Sequence, residues 1–301
     1  MIFFVTEYSL LLYDAIRDFI LKTMRLTKYI VFYCTLIFLT SQIFARESSD
    51  ILLRFIVAGD SHWGQINEPY KDQLNNFIKS VNSISDLQQI DYIIINGDIV
   101  NNDLSLFPSV LDQLKTLSPP YILVPGNHDF VNDTEWMEIT GNPLNHEKKI
   151  DDDFLFLLVN SSDKESGVKK GMPSSHWVCA DSQFIHDAVF RNKGRKVFIF
   201  IHIPQYPWVD ASVYCPDIMD TISNSENVLG TYFSHSHDAT QIYEYKDKIY
   251  TFTGRIGGSG TTEPQYKIIT VLKNYDVKID RVTELDTTFP KIETVYLSNL
   301  R

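Results

Sequence analysis

"LLRFIVAGDSHWG", residues 52–64, is the stretch on which the fold turns. Apart from Arg54, residues 52–58 are apolar, with Phe55, Ile56 and Val57 over a short run, which reads as a strand. Gly59 breaks the run, and Asp60 and His62 follow at once. A strand that ends in a glycine turn and hands over a carboxylate and an imidazole raises an expectation about the rest of the chain. In open α/β sheets, sites lie outside the carboxyl ends of the strands, so other strands should end the same way.

They do. "YIII" at 92–95 runs into Asn96-Gly97-Asp98, and "YILV" at 121–124 runs into "PGNHD", with Asn127, His128 and Asp129. "VFIFI" at 197–201 ends in His202, and "VLGTYF" at 228–233 ends in "SHSH", with His235 and His237. Each motif alone is an ordinary turn or loop. Five strand exits that all present ligand-type side chains are not explained by chance, and Gly59, Gly97 and Gly126 allow the tight turns needed there.

Between several of these strands lie helical patterns. Leu74, Phe77, Ile78 and Val81 recur at helical spacing within 70–84, and 103–117 follows with a start broken or delayed by Pro108. Residues 181–194 read as a helix capped by Asp181 and stopped by Gly194. "FLFLLV" at 154–159 supplies a further strand. Alternating strands and helices predict an α/β fold with a parallel or mixed sheet. The pattern then changes: 241–254 and 266–282 read as two antiparallel pairs, turning at Lys246-Asp247-Lys248 and at Asn274-Tyr275. With no linker or repeat, residues 51–285 form one domain, and 286–301 a C-terminal tail.

The donor set suits borderline and hard ions such as Mn, Fe and Zn, which accept imidazole together with oxygen ligands. A carboxylate has two oxygens and can bridge two ions, and His-x-His can serve both. Two divalent ions against Asp60 and Asp98 leave a net positive site that attracts phosphate. Such a pair, about 3.5–4 Å apart, can activate water and clamp a phosphoryl group for in-line attack.

The ordered set "GDSH", "GD", "GNHD", His202 and "SHSH" resembles the calcineurin-like metallophosphoesterase family, over about residues 53–260. The resemblance implies a four-layer α/β/β/α sandwich, with two mixed central β-sheets flanked by helices. It implies Asp60, His62, Asp98 and His237 as ligands of a first metal, with Asp98 bridging. Asn127, His202 and His235 match the ligands of the second. His128 matches the histidine that contacts the phosphate and protonates the leaving group, and Asn127 also lies in reach of the phosphate. The implied reaction is hydrolysis of small phosphomonoesters or phosphodiesters by a metal-bridging hydroxide.

Three departures stand out. Ser234 occupies the place of the usual glycine before the final histidine pair. Asn101 stands where many members carry an acid that orients the motif-three histidine, leaving Asp103 or Asp129 as substitutes. The arginine of phosphoprotein phosphatases and the tyrosine ligand of purple acid phosphatases are absent, with Val100 and Asn101 nearby. A metal-binding module without turnover is the competing reading.

Other features leave alternatives open. Trp63, Tyr206 and Trp208 either line a substrate rim or pack the mouth of the site. His146 reads as a loop residue, and His176 and His186 as solvated or structural. "GRIGGSG" at 254–260 lacks the ending of a phosphate-binding P-loop and reads as a tight loop beside the metal edge. Cys179 has no nucleophile signature; it either pairs with Cys215 or both are buried thiols.

The net charge of −11 argues against a nucleic-acid surface, though not against small phosphorylated partners. Residues 24–45 carry a basic start (Arg25, Lys28), an apolar stretch over 29–39 and an end at Ala45. That is a secretory signal peptide pattern. It predicts an exported protein that starts at Met24, with 1–23 a gene-model extension and Cys34 lost on cleavage. If the apolar stretch is retained, it becomes a signal anchor, and a membrane-tethered hydrolase of lipid-linked pyrophosphates is the alternative.

Overall fold

The computed structural model describes Tyr29, Tyr33 and residues 50–164, 176–287 and 290–298. The chain divides into Met1–Ile51 and Leu52–Arg301. The extension expected over 1–23 and the signal peptide over 24–45 lie outside the described residues, save Tyr29 and Tyr33, which are helical and exposed. No helix among the described residues is long and apolar enough to cross a membrane.

Two six-stranded sheets form the centre. The first has the order β12 (Lys291–Leu297), β11 (Val277–Thr283), β10 (Tyr266–Leu272), β1 (Ile51–Ala58), β2 (Tyr92–Asn96), β3 (Tyr121–Val124). The second has the order β4 (His146–Lys149), β5 (Phe154–Val159), β6 (Lys196–Ile201), β7 (Val228–Phe233), β9 (Lys248–Phe252), β8 (Ile242–Tyr245). Both are mixed. β1, β2 and β3 pair in parallel, as do β5, β6, β7 and β9, whereas β10–β12 and the β4 and β8 edges are antiparallel.

Three apolar layers hold the sheets and helices together. Leu74, Phe77 and Val81 of α1 (Tyr70–Ser85) and Val110 and Leu114 of α2 (Phe107–Leu114) bury against Ile56, Ile93 and Ile95 of the first sheet. Trp136 of α3 (Asp133–Thr140) joins them. Ile185 and Val189 of α4 (Ser182–Arg191) and Ile218 and Ile222 of α5 (Pro216–Ser223) bury against Leu155, Leu157 and Ile199 of the second. Between the sheets, Phe55, Phe156, Phe198, Phe200 and Tyr232 interlock edge to face or stacked. The expected α/β/β/α sandwich is therefore present. The central strands are buried on both faces, which is why they read as unbroken apolar runs rather than alternating ones.

Local signals decide the element ends. Asp181 caps α4 by accepting from Phe184 N (2.9 Å), and Pro108 sits in the first turn of α2 after a 3-10 turn at Leu104–Leu106. Two readings need correction. The tail over 286–301 is not apart from the sheet, because Lys291–Leu297 pairs with β11 and closes one edge. His146 begins β4 instead of lying in a loop, with its Nδ1 against Pro143 O at 3.0 Å.

Candidate metal centre

The exits of β1, β2, β3, β6 and β7 converge. One ligand-type atom from each of Asp60, His62, Asp98 and His237 lies within 4.8 Å of the others, and the same holds for Asp98, His202 and His235. Asp98 belongs to both groups and is fully buried between them. Asn127 and His128 arrive on the loop after β3. Asn127 is buried, and the His128 ring stands edge-on to His62 with centroids 4.7 Å apart.

Backbone geometry aims these side chains. Asp60, His62, Asp98 and His235 all take left-handed φ values, 57°, 43°, 52° and 66°. That region is disfavoured for residues with a Cβ, at a penalty of order 1–3 kcal/mol. Here it folds each side chain back over the end of its strand. Gly97 (φ 85°) passes so close to the His202 ring that a Cβ would collide with it.

Each carboxylate splits its work. Asp60 Oδ2 accepts from His235 N (3.0 Å) and Asp98 Oδ1 from His128 N (2.8 Å), so each ties two exits together. The other oxygens are buried too: Asp60 Oδ1 has no hydrogen-bond donor, and Asp98 Oδ2 faces only imidazole nitrogens. Asp98 Oδ2 lies 3.5 Å from His62 Nε2 and 3.2 Å from His202 Nε2, so one oxygen faces both groups.

The histidines show what these oxygens face. His62 Nδ1 contacts Asn101 Oδ1 (3.2 Å), His202 Nδ1 contacts Asn96 O (2.7 Å), and His237 Nδ1 contacts Ser259 O. Each partner is an acceptor, so each Nδ1 carries a proton, and the Nε2 atoms of His62 and His237 turn lone pairs inward. His62 Nε2 and His237 Nε2 then meet at 2.8 Å, lone pair to lone pair, with Asp60 Oδ1 3.6 Å from His237 Nε2. That arrangement repels unless a cation lies among these atoms, and the donor set fits a borderline divalent ion.

Protonation follows the same logic. Burial drives His62 and His235 down to about 3 and Asp60 up to about 6. Burial would also raise Asp98, yet His202, His128 and His62 outweigh it and hold the carboxyl well below its usual range. Burial opposes a charge on His202, but Asp98 overrides it and raises the imidazole to about 9. A proton on His202 thus does in the ion-free protein what a cation would do. Burial lowers His128.

The remaining candidates sort out as follows. Asn101 backs His62 and not His128, which corrects the expected partner. Asp103 caps the 3-10 turn through Ser105 N. Asp129 accepts from Ile99 N, Val100 N and Gly126 N (2.8, 2.9 and 2.7 Å), stapling the second exit to the third; burial and Asp98 push it up to about 7. Ser234 turns away from the pockets, bonds Thr253 Oγ1 (2.8 Å) and fills space that exists because residue 59 has no Cβ. Trp63 is no rim residue: it is buried, and its Nε1 donates to Ser109 Oγ (2.8 Å). Tyr206 packs on Trp208 and Tyr245, and Trp208 stacks on Tyr243. Trp208 also lines an open cleft of about 580 Å³ that runs past Asp210, Ser236 and His237. Cys179 and Cys215 form a disulfide.

Two residues went unread in the sequence. Trp177 sets its ring edge-on to His235, centroids 4.5 Å apart. Its position two residues before Cys179, whose partner ends the loop after His202, was the available signal. Arg255 is buried inside "GRIGGSG", and nothing in the motif itself marks it.

Comparison with known proteins bears on the family and the fold. A family model described as calcineurin-like phosphoesterase matches residues 53–250. A protein of Invertebrate iridescent virus 3, provisionally named a phosphoesterase, is 30% identical over 86 residues. One of Xenorhabdus bovienii, provisionally named a cyclic nucleotide phosphodiesterase, is 34% identical over 59 residues. These matches cover 26% and 19% of this chain, and 24% of each relative, so they span about a quarter of the relatives' length. Among solved structures, a dimetal phosphatase from Danio rerio superposes with a TM-score of 0.64 at 12% identity, over 83% of this chain and all of that one (100%). A purple acid phosphatase from yellow lupin seeds gives 0.56 at 13% identity, over 80% of this chain and 53% of its own. At these identities the structural likeness speaks for the fold.

Proposed function

This chain belongs to the calcineurin-like phosphoesterase family of hydrolases acting on phosphate esters, and on that premise we propose that it is an exported, dinuclear hydrolase of small phosphomonoesters or phosphodiesters. Asp60, His62, Asp98 and His237 hold a first ion, and Asp98, Asn127, His202 and His235 a second. Mn, Fe and Zn all suit these ligands. The observation that carries the reading is the lone-pair meeting of His62 Nε2 and His237 Nε2 at 2.8 Å beside Asp60 Oδ1, a buried carboxylate oxygen without a donor. Two ions bound there would supply a water nucleophile at neutral pH and neutralise the charge of a phosphoryl group.

The protein's own groups do the rest. Burial of both aspartates keeps bulk water from screening the pockets. His128 stands beside His62, with its Nδ1 buried and without a partner, and burial lowers its proton affinity. A bound phosphate would offset that burial by favouring the protonated ring, which could then give its proton to a leaving oxygen. Asp129 and Asp98 hold the backbone just before His128 and at it (Gly126 N and His128 N), so its place does not depend on an acid behind the ring. The disulfide supports the export part of the reading, because such bonds persist in oxidising compartments.

The test is hydrolysis of p-nitrophenyl phosphate and bis-p-nitrophenyl phosphate by metal-loaded protein, wild type and Asp98→Asn. Metal-dependent turnover that Asp98→Asn abolishes is expected. No turnover on a broad phosphate panel would sink the proposal. Export is checked separately, by recovering from the medium a mature chain that begins after Ala45.

A further inference from the structure

The loop over 254–262 carries a buried cation that the proposed chemistry does not use. Arg255 is 6% exposed. Its Nη1 donates to Gly257 O (3.3 Å) and Gly258 O (2.9 Å), and its Nη2 to Gly260 O (3.3 Å) and Thr262 O (2.7 Å). The loop is thus wound around one guanidinium. A planar fork with five donors can span four carbonyls, whereas an ammonium with three cannot. Burying a cation is unfavourable unless it is well solvated by the protein, so the arrangement calls for a reason.

That reason lies in what the wound loop touches. Its Ser259 carbonyl accepts the Nδ1 proton of His237. Asp238, the next residue, accepts from Thr261 N (2.8 Å), Thr261 Oγ1 (2.7 Å), Thr262 N (2.8 Å) and Thr262 Oγ1 (3.0 Å). On its other side the loop bonds the first exit: Ile256 N to Gly59 O (3.0 Å), Gly257 N to Asp60 O (3.0 Å), and Ser259 N to Gln65 Oε1 (3.1 Å). It therefore joins the turn that carries Asp60 and His62 to the turn that carries His237. His237 needs this support. Its side chain is 22% exposed, against 2% or less for Asp60, His62 and Asp98, so packing holds it least.

We infer that Arg255 is a positioning residue of the first ion pocket: by winding the loop it sets the Ser259 carbonyl behind His237, which keeps His237 Nε2 aimed at Asp60 and His62. Asp238 bolts the same two pieces together from outside. The inference rests on the ion-site reading proposed above and adds residues outside the ligand set. Loss of a partner behind a ligating histidine lowers metal affinity by about 10–100-fold.

The test is calorimetric titration of metal-free protein with Mn, for wild type, Arg255→Lys and Asp238→Asn. His237→Ala and His235→Ala identify which binding step belongs to which pocket. Arg255→Lys should weaken the first-pocket step by about 10–100-fold and leave the second within about threefold. Asp238→Asn keeps the shape of an exposed side chain and should weaken the same step by a smaller factor. Excess Mn should restore kcat in both variants with KM unchanged, which general misfolding would not allow. Equal weakening of both steps, or wild-type affinity in both variants, overturns the inference. If Arg255→Lys does not fold, an unchanged first step in Asp238→Asn overturns it alone. A wild-type protein that binds no Mn overturns the ion-site reading and this inference together.

Discussion

The two proposed ion pockets share a carboxylate and differ in what stands behind their histidines. In the first, His62 is backed by Asn101 and His237 by Ser259 O. In the second, His202 is backed by Asn96 O, but neither ring nitrogen of His235 has a hydrogen-bond partner, and the ring meets the edge of Trp177. A hydrogen bond fixes both the tautomer and the direction of a ligand; a ring edge limits only the direction. Both histidines of the first pocket are therefore prewired, whereas in the second His202 is prewired and His235 merely fenced. Since an outer partner is worth about 10–100-fold in affinity, the first ion should be held more tightly, and the second should exchange more readily.

The largest effect should come from the residue that erases the comparison. Asp98→Asn removes the oxygen both pockets share, so both ions should weaken and kcat should fall more than about a hundredfold, read by turnover and by ion content after desalting. His237→Ala and His235→Ala sharpen the comparison instead. Each should remove one calorimetric binding step, the tighter for His237→Ala and the weaker for His235→Ala; the reverse assignment would break the account of the two pockets. Reducing the Cys179–Cys215 disulfide should lower stability by about 3 kcal/mol in denaturant unfolding. It should also weaken the second ion severalfold and leave the first alone, because Cys179 anchors the segment that carries Trp177.

The smallest effect on the ions should come from Lys267, whose Nζ lies between the sheets, 3.4 Å from Thr240 O. Burial pushes its ammonium down to about 7 from 10.5. The unfolded chain binds that proton more tightly. Its contribution to stability is thus least favourable below pH 7 and improves as pH rises from 7 towards 10.5. Lys267→Met should raise stability at pH 7 by about 3 kcal/mol, with a smaller gain at pH 10, while both ion affinities stay within about twofold.

How much of this was legible in the sequence depended on whether a local pattern carried the information. The strand exits were legible because β1, β2, β3, β6 and β7 are mostly apolar runs with ligand-type residues at or just beyond their ends. The convergence of nine exit residues on one edge followed from the parallel order of those strands. The braces were not legible. Asn101 looked like a substitute for an acid beside His128, but the turn after Asp98 carries it to His62. Asp129 looked like a spare acid, yet its oxygens are spent on three backbone amides. Ser234 stood out in a glycine's usual place, and the missing Cβ at Gly59 leaves room for it. β12 is partly exposed along its length and charged at its start, so it lacks an apolar signature and reads as a tail. α3 escaped notice for a similar reason: only Trp136 of it is buried. For Asn101 and Ser234 the deciding partner lies far away in the chain.

One measurement tests the central claim most directly. Metal-free protein is titrated with Mn while ion uptake and hydrolysis of p-nitrophenyl phosphate are followed in the same sample. The account predicts two ions per chain, taken up in two steps of unequal affinity, with turnover that appears as the second step fills and is lost in Asp98→Asn. Full turnover in the metal-free protein, or turnover complete after the first ion alone, would contradict it.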